Sequence, residues 1–212
     1  MMMVDFDRIK KACVGLLSLC LVVGVMCAPI GAFGADRAAA LMAKMRASMQ
    51  ALGGYEAAFV VAAGDEQLLG RFAVEGERYR IDMADMEVVG AATERYEINK
   101  QRREITIMQH DDSSADLLAN PSHAFELVVT HYQPELLGEQ QGKAELALRA
   151  TKEQQPSIRL TLDTHTGYPS SIVYLMEGLE LTIEILSITP LTRPLIPFDR
   201  ESYSDYELID FR

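Results

Sequence analysis

Residues 157–176 read SIRLTLDTHTGYPSSIVYLM, and their pattern gives the strongest indication of the fold. The first part of this stretch alternates aliphatic with polar side chains, the clearest period of two in the chain, and the aliphatic members are Ile158, Leu160 and Leu162. The segment Asp163 to Pro169 is rich in turn-forming residues, and a second alternation follows through Ile172 and Tyr174. The stretch therefore predicts two antiparallel strands joined by a turn, with one apolar face.

The same alternation extends in both directions from this hairpin. Short strands are predicted before it at 55–62, 67–74, 77–84, 86–90, 93–98 and 104–109, with another around 146–148. After it, a strand is predicted at 181–185, and a proline-containing tail leads to a last strand at 206–211. These segments predict a single meander of about ten strands.

Two helices interrupt the strands. The first is predicted from Arg37 to Leu52, because Leu41, Met45 and Met49 form one apolar stripe and Gly53-Gly54 ends the run. The second is predicted from Asn120 to about Thr130, with Phe125, Val128 and Val129 as its apolar contacts. Since a long antiparallel sheet curls and buries one face, we expect a mostly β, α+β domain: an incomplete β-barrel capped by the N-terminal helix and a central helix.

The N-terminal segment, residues 1–34, has the features of a secretory signal. Arg8, Lys10 and Lys11 precede an apolar run from Ala12 to Met26, and Ala32-Phe33-Gly34 offers small residues two apart for cleavage. The sequence thus predicts removal after Gly34 and a single domain at 35–212 in the periplasm. The alternative is a retained anchor, since the uncharged run reaches Ala35 and is long enough to span a bilayer, although Pro29 and several glycines interrupt it.

The composition excludes several classes of function. The net charge is −11, and removal of the signal would leave about −12 on the domain, whereas nucleic-acid binding needs a basic surface. All three cysteines, Cys13, Cys20 and Cys27, lie in the signal, so we expect neither a disulfide nor a cysteine metal site in the domain. A lipid-modified cysteine is not favoured, because Leu19 and Met26 stand where a small residue would precede it.

No pattern in the chain indicates an enzyme. His110-Asp111-Asp112 is typical of a solvated loop rather than a metal site, and Ser113-Ser114 lacks the setting of a nucleophile. The chain has no glycine-rich phosphate loop and no paired carboxylates. We therefore expect no catalytic residue, no metal and no cofactor.

The order of these pieces resembles that of the periplasmic outer-membrane lipoprotein carriers, the LolA-like family. The resemblance rests on the first helix, the meander, the central helix and the turn Asp163 to Pro169, which has the form Asp-x-x-Thr-Gly-Tyr-Pro. The segment 70–82, GRFAVEGERYRID, is similar to the second hairpin of that family. The ending 203–212, YSDYELIDFR, is similar to the terminal strand of its Bacteroidetes-type branch.

The resemblance implies a monomeric carrier that binds the acyl chains of a lipoprotein, or a lipid, in an apolar concave cavity and shuttles them toward the outer membrane. It also implies an inner-membrane lipoprotein-releasing transporter as a partner. Methionine suits such a cavity because its side chain adapts to irregular ligands. We expect the cavity to be lined by Met45, Met49, Tyr79, Ile81, Met83, Ile105, Ile107, Phe125, Leu160, Leu162, Tyr174 and Ile183.

The sequence also departs from the family pattern. It contains no tryptophan and has Tyr96 where many members have one, and Arg78 is not followed by the proline that accompanies the arginine of the family's lid. Two other functions therefore stay open on the same fold. One is an envelope sensor or protein-interaction module, and the other is a structural domain with a closed core.

Overall fold

The computed structural model describes residues 30–91, 93–109, 117, 120–151, 156–176 and 179–212. The predicted signal lies outside this range up to residue 29, and so do the predicted loop at 111–114 and the segment His110-Asp111-Asp112.

Helix α1, Ile30–Ala51, begins earlier than the predicted Arg37 and runs through Gly34. Cleavage after Gly34 stays a prediction. Neither helix in the described ranges combines the length and hydropathy that crossing a bilayer requires.

Within the described residues, twelve strands form one sheet, and α2, Ala124–His131, lies between the sixth and the seventh. The strands are β1 Gly54–Ala63, β2 Glu66–Glu75, β3 Arg78–Met83, β4 Met86–Gly90, β5 Glu94–Asn99, β6 Glu104–Gln109, β7 Tyr132–Gln140, β8 Lys143–Ala150, β9 Ser157–Asp163, β10 Pro169–Met176, β11 Leu179–Pro190 and β12 Glu207–Asp210.

The strand order is β12-β6-β5-β4-β3-β2-β1-β11-β10-β9-β8-β7, so the two halves of the chain meet where β1 pairs with β11. The sheet is curled and its ends, β12 and β7, do not pair with each other. This architecture confirms the predicted mostly β, incomplete barrel with an N-terminal and a central helix. Two details differ from the prediction: β7 is an additional strand, and β12 pairs with β6 in parallel.

The sheet has an inner face, which packs against the helices, and an outer face. Along β3, for example, Tyr79 and Ile81 point inward while Arg80 and Asp82 point outward. The inner-face core joins Leu41, Met42 and Met45 of α1 to strands from both halves of the sheet. In most of the strands, this alternation therefore contributes to one helix-covered apolar surface.

The C-terminal tail, residues 191–206 between β11 and β12, covers part of the outer face. Phe198 stacks on Tyr96 with ring centroids 4.0 Å apart, and Tyr203 stacks on Phe198 at 5.7 Å. These rings pack against a second buried cluster formed by Val89, Ile98 and Ile105. Because the tail crosses this face before β12 begins, β12 reaches the free edge of β6 running in the same direction as β6.

Candidate functional site

The inner face of the second half of the sheet is a continuous aliphatic surface. The registers of neighbouring strands place one row of directly opposed residues across six strands: Leu136, Leu146, Leu160, Ile172, Ile183 and Val61. The polar members of the same strands, such as Glu145 and Arg159, lie on the other face and form an ion pair at 3.3 Å. This half of the inner face therefore offers apolar surface without a charge in that row.

Helix α1 lies on this surface with its methionine stripe. Met45 is fully buried and Met42 and Met49 are nearly so, whereas the opposite side of the helix is exposed. The helix continues into β1 through Leu52, Gly53 and Gly54. Gly53 has φ +67°, a left-handed conformation that glycine adopts at little cost. One short, glycine-containing connection thus joins the helix to the sheet.

Helix α2 and Leu117 close the remaining part of the same surface. Phe125 and Val128 of α2 are buried, and the Leu117 backbone N–H donates to the Tyr174 hydroxyl at 2.9 Å. A small cavity of about 10 Å³ remains between α1, α2 and the sheet, lined by Met45, Leu117, Ala124, Phe125, Val128, Leu148, Ile158, Leu160, Ile172 and Tyr174. This is about the space of one water molecule, so the interior is closed in this conformation.

One edge of α1 is held by hydrogen bonds to the turn between β9 and β10. The Lys44 ammonium donates to the carbonyls of Thr164 at 2.7 Å and His165 at 2.8 Å, and the Ser48 hydroxyl donates to the Thr166 carbonyl at 2.7 Å. We call these three bonds the latch. They are exposed to water, so each stabilises the closed helix only modestly.

The Asp163 carboxylate shapes the turn that receives the latch. It accepts the backbone N–H of His165 at 2.9 Å and of Thr166 at 2.7 Å, as well as the Thr166 hydroxyl at 3.0 Å. The bonds from Thr166, followed by that from His165, lower the pKa of Asp163 below its ordinary value. The ionised carboxylate therefore orients the carbonyls that Lys44 and Ser48 bind.

Two exposed ion pairs hold other points of α1. Arg37 pairs with Glu139 of β7 at 2.7 Å, and Arg46 pairs with Glu126 of α2 at the same distance. The hydrogen bond from Arg37 lowers the pKa of Glu139. Exposed pairs of this kind contribute little to stability, so apolar contact with the sheet is the main force that keeps the helix in place.

The aliphatic surface ends toward β5. Arg95 and Glu97 lie on the inner face there and pair at 2.8 Å, and Arg95 also donates to the Tyr79 hydroxyl at 3.3 Å. Within the described residues, no group of three or more His, Cys, Asp or Glu side chains is arranged to hold a metal ion. The aliphatic surface beneath α1 can therefore bury apolar groups.

The structure brings together ten of the twelve residues predicted to line the cavity. Nine are buried in the inner-face core: Met45, Met49, Tyr79, Ile81, Phe125, Leu160, Leu162, Tyr174 and Ile183. Met83 is partly buried and packs against them. Ile105 and Ile107 are buried, but their registers with Ile98 and Tyr96 place them on the outer face, and Ile105 packs beneath the tail. Alternation alone cannot distinguish two faces that are both covered.

Sequence reasoning missed several residues of the same surface. Leu148 and Ile158 line the cavity, Leu146 is buried in the same inner-face core, and their alternation was visible in the sequence. Leu117 is also buried there, but it carries no periodic signal.

The structure also gives Arg78 a different role from the lid arginine of the carrier family. It pairs with Glu75 at 2.9 Å and donates to the Leu195 carbonyl in the tail at 3.4 Å, so it ties the tail rather than α1.

Comparison with known proteins gives similarity at the level of fold. No family model matches the chain, and no curated protein matches it. Among solved structures, an uncharacterized conserved protein from Thermus thermophilus is similar over 82% of this chain and 99% of its own, with a TM-score of 0.55 and 11% identity. At that identity the likeness shows a shared fold.

Two further solved structures are similar at lower TM-scores. A LolA superfamily protein from Nitrosomonas europaea matches over 74% of this chain and 94% of its own, at 10% identity and a TM-score of 0.41. The Pseudomonas aeruginosa MucA/MucB complex matches over 75% of this chain and 59% of its own, at 17% identity and a TM-score of 0.47. The structural neighbours of this chain thus include a LolA superfamily protein, at a sequence identity too low to test the predicted Bacteroidetes-type branch.

Proposed function

We propose that this protein binds acyl chains, of a lipid or of an acylated lipoprotein, between α1 and the aliphatic inner face of the sheet. The observation that carries the proposal is the interface itself: flexible methionine side chains on the helix face an uncharged row that spans six strands. An acyl chain placed there would leave water with a gain of roughly 0.8 kcal/mol for each buried methylene.

Binding requires α1 to move, because the closed cavity of about 10 Å³ is far too small for an acyl chain. The helix is suited to such a movement. Its polar contacts are the exposed latch and two exposed ion pairs, and Gly53 lies in its short connection to β1. Methionines that leave one apolar surface can repack against another of irregular shape.

We further propose that the chain acts as a monomeric, non-catalytic carrier in the periplasm. It would receive its cargo from an inner-membrane lipoprotein-releasing transporter and carry it toward the outer membrane. The predicted signal at 1–34 supports the location, and the absence of a catalytic or metal pattern in the sequence supports a binding role.

The alternative is a protein-interaction module, and the closed interior favours it. A domain whose core is filled at rest can present its outer surface to a partner without taking up any ligand. The two functions differ in one measurable property, which is whether an acyl chain enters the space between α1 and the sheet.

The absence of tryptophan from the chain makes that test direct, because a single introduced tryptophan gives the only indole fluorescence. Phe125→Trp places the reporter at the cavity, and Phe198→Trp places a matched reporter on the outer face. Each variant is titrated with a peptide that carries a bromine-labelled acyl chain, after circular dichroism has confirmed that it is folded.

Acyl binding at the proposed site should quench the F125W fluorescence strongly and that of F198W weakly. Equal quenching would place the ligand elsewhere, and no quenching in either variant would contradict acyl binding and favour the interaction module. Extraction of lipid from the wild-type protein, purified without detergent, gives an independent readout. Bound acyl chains are expected in that extract.

A further inference from the structure

A second cavity lies on the outer face of the sheet, beneath the tail. It has a volume of about 450 Å³ and is bounded by β1, β2, β3 and β11 on one side and by residues 191–196 on the other. We call it the outer groove. Its volume falls within the range of about 300–1,000 Å³ typical of small-molecule sites.

Small side chains form the floor of the outer groove. Ala58 and Ala73 lie on neighbouring strands, with Ser187 and Thr189 of β11 beside them. Ala73 is directly opposite Glu56 on one side and Arg80 on the other, so a gap opens between two long side chains. The groove therefore results from the sequence of the strands as well as from the path of the tail.

Arginines surround this floor. Arg71 and Arg193 both line the groove, and neither has an ion-pair partner among the described residues. Arg80 forms an ion pair with Glu87 at 3.5 Å. Guanidinium groups bind carboxylate and phosphate oxygens through paired hydrogen bonds, so two unpaired arginines at one groove favour an anion.

Two acidic residues also line the groove and limit how much negative charge it accepts. Asp82 pairs with Lys100 at 3.5 Å, which partly neutralises it. Glu56 forms no ion pair within the described part of the chain, so its charge opposes an anion nearby. Because the whole chain carries −11, a highly acidic peptide or polymer would also be repelled at long range. A ligand with a single anionic group fits this balance.

The tail supplies an apolar wall. Leu191, Pro194, Leu195 and Ile196 line the groove, and Ile196 is 72% exposed. The wall is fixed in place because the Leu191 N–H donates to the Gly54 carbonyl at 2.9 Å and the Leu195 N–H donates to the Glu75 carboxylate at 3.0 Å. A bound molecule can therefore meet charge on one side and apolar surface on the other.

We propose that the outer groove binds a small amphiphilic anion, whose one carboxylate or phosphate contacts Arg71 and Arg193 and whose short apolar part lies against the tail. The floor of small residues admits the ligand between the sheet and residues 191–196. This site is on the opposite face of the sheet from the acyl cavity, and the proposal does not depend on the function proposed above.

The test is titration calorimetry of the full chain with four probes: octyl phosphate, octanoate, inorganic phosphate and octyl glucoside, each below its micelle concentration. We expect saturable 1:1 binding of octyl phosphate, octanoate or both, and which of them binds tells phosphate from carboxylate. Inorganic phosphate lacks the apolar part and octyl glucoside lacks the charge, so both should bind at least tenfold more weakly. Equal binding of either would overturn the proposal.

Variants locate the binding. Arg71→Ala and Arg193→Ala should each weaken it roughly tenfold or more, since each removes a charge-assisted hydrogen bond. Ala73→Leu should weaken binding, because the larger side chain fills the floor of the groove. Glu56→Gln should tighten binding, because it removes a negative charge that opposes the anion. Arg159→Ala is the matched control, because Arg159 lies on the same face of the sheet but does not line the groove.

Two further results would overturn the proposal. One is the absence of saturable binding of both anionic amphiphiles to the wild-type chain. The other is binding that Ala73→Leu and both arginine variants leave unchanged. If these probes instead displace the bromine-labelled acyl peptide from F125W and restore its fluorescence, the ligand has entered the acyl cavity, so the two proposals can fail separately.

Discussion

At the scale of single residues, one close contact shows how tightly the inner face is packed. Gly90 is directly opposite Tyr79, and the Tyr79 ring lies over it. A Cβ at Gly90 would be 2.0 Å from the ring carbon Cζ, closer than real atoms approach. Tyr79 is only 1% exposed, so its ring cannot turn out into solvent without opening the core.

We therefore expect Gly90→Ala to lower the free energy of unfolding by about 2 kcal/mol or more, through overpacking. Gly138→Ala is the control, because a Cβ at that position meets nothing within 4 Å. Urea denaturation of both variants measures the difference. A Gly90→Ala variant as stable as wild type would mean that the Tyr79 ring has room to move.

Asp163 makes a prediction about pH at the same scale. Its pKa is lowered in the folded protein by hydrogen bonds from Thr166 and His165, so its stabilising effect is fully present above the ordinary value near 3.8. The effect is lost as the pH falls through the lowered value, where the carboxyl group gains a proton in the folded state as well.

Asp163→Ala should accordingly be less stable than wild type at neutral pH, and the difference should shrink as the pH is lowered below about 4. Thermal unfolding of both proteins between neutral pH and roughly pH 2 measures this. A difference that stays constant across that range would show that the carboxylate charge does not hold the turn.

At the scale of elements, the tail both packs on the sheet and leads into its last strand. Phe198 contacts Tyr96 and Tyr203, and β12 adds the last strand beside β6. The buried Glu87 lies near these rings, with Lys100 at 3.2 Å. The tail thus shields the second cluster from water and also provides the wall of the outer groove.

We expect Phe198→Ala to destabilise the protein by about 1–3 kcal/mol, because it removes a half-buried ring and two aromatic contacts. Phe211→Ala, which truncates a ring that is 70% exposed, should change stability by less than about 0.5 kcal/mol. Chemical denaturation compares the pair. Equal effects would indicate that the stack contributes no more than an exposed ring does.

At the scale of the whole molecule, the proposed function depends on how α1 divides its contacts. Its apolar stripe holds it on the sheet, while the latch fixes one polar edge. Weakening the latch should therefore raise the population of open molecules without damaging the core.

The double variant Lys44→Ala/Ser48→Ala should take up a bromine-labelled acyl peptide faster than the parent protein, with F125W as the fluorescent background for both. It should also exchange the amide hydrogens of α1 faster, while those of β8 and β9 keep their protection. Lys143→Ala is a surface control outside the latch. Unchanged uptake together with faster exchange would separate helix opening from ligand entry.

The element types, the curled antiparallel architecture and most of the apolar surface were predictable from local patterns in the sequence. Local alternation and helical periodicity carry that information, as Leu160 and Met45 illustrate. The tertiary structure decided which covered face each strand residue joins. Ile105 alternates as Ile81 does, yet it packs beneath the tail, because the crossing of the tail buries an outer face that a pattern of period two assigns to solvent.

The tertiary structure also decided every contact between segments distant in the chain. The latch joins residues more than a hundred positions apart, and the outer groove exists only where the tail passes over β1 to β3. No local spacing encodes such pairs, since they depend on the register of the whole sheet. Periodicity indicates which side of an element is apolar, whereas packing determines which residues that side contacts.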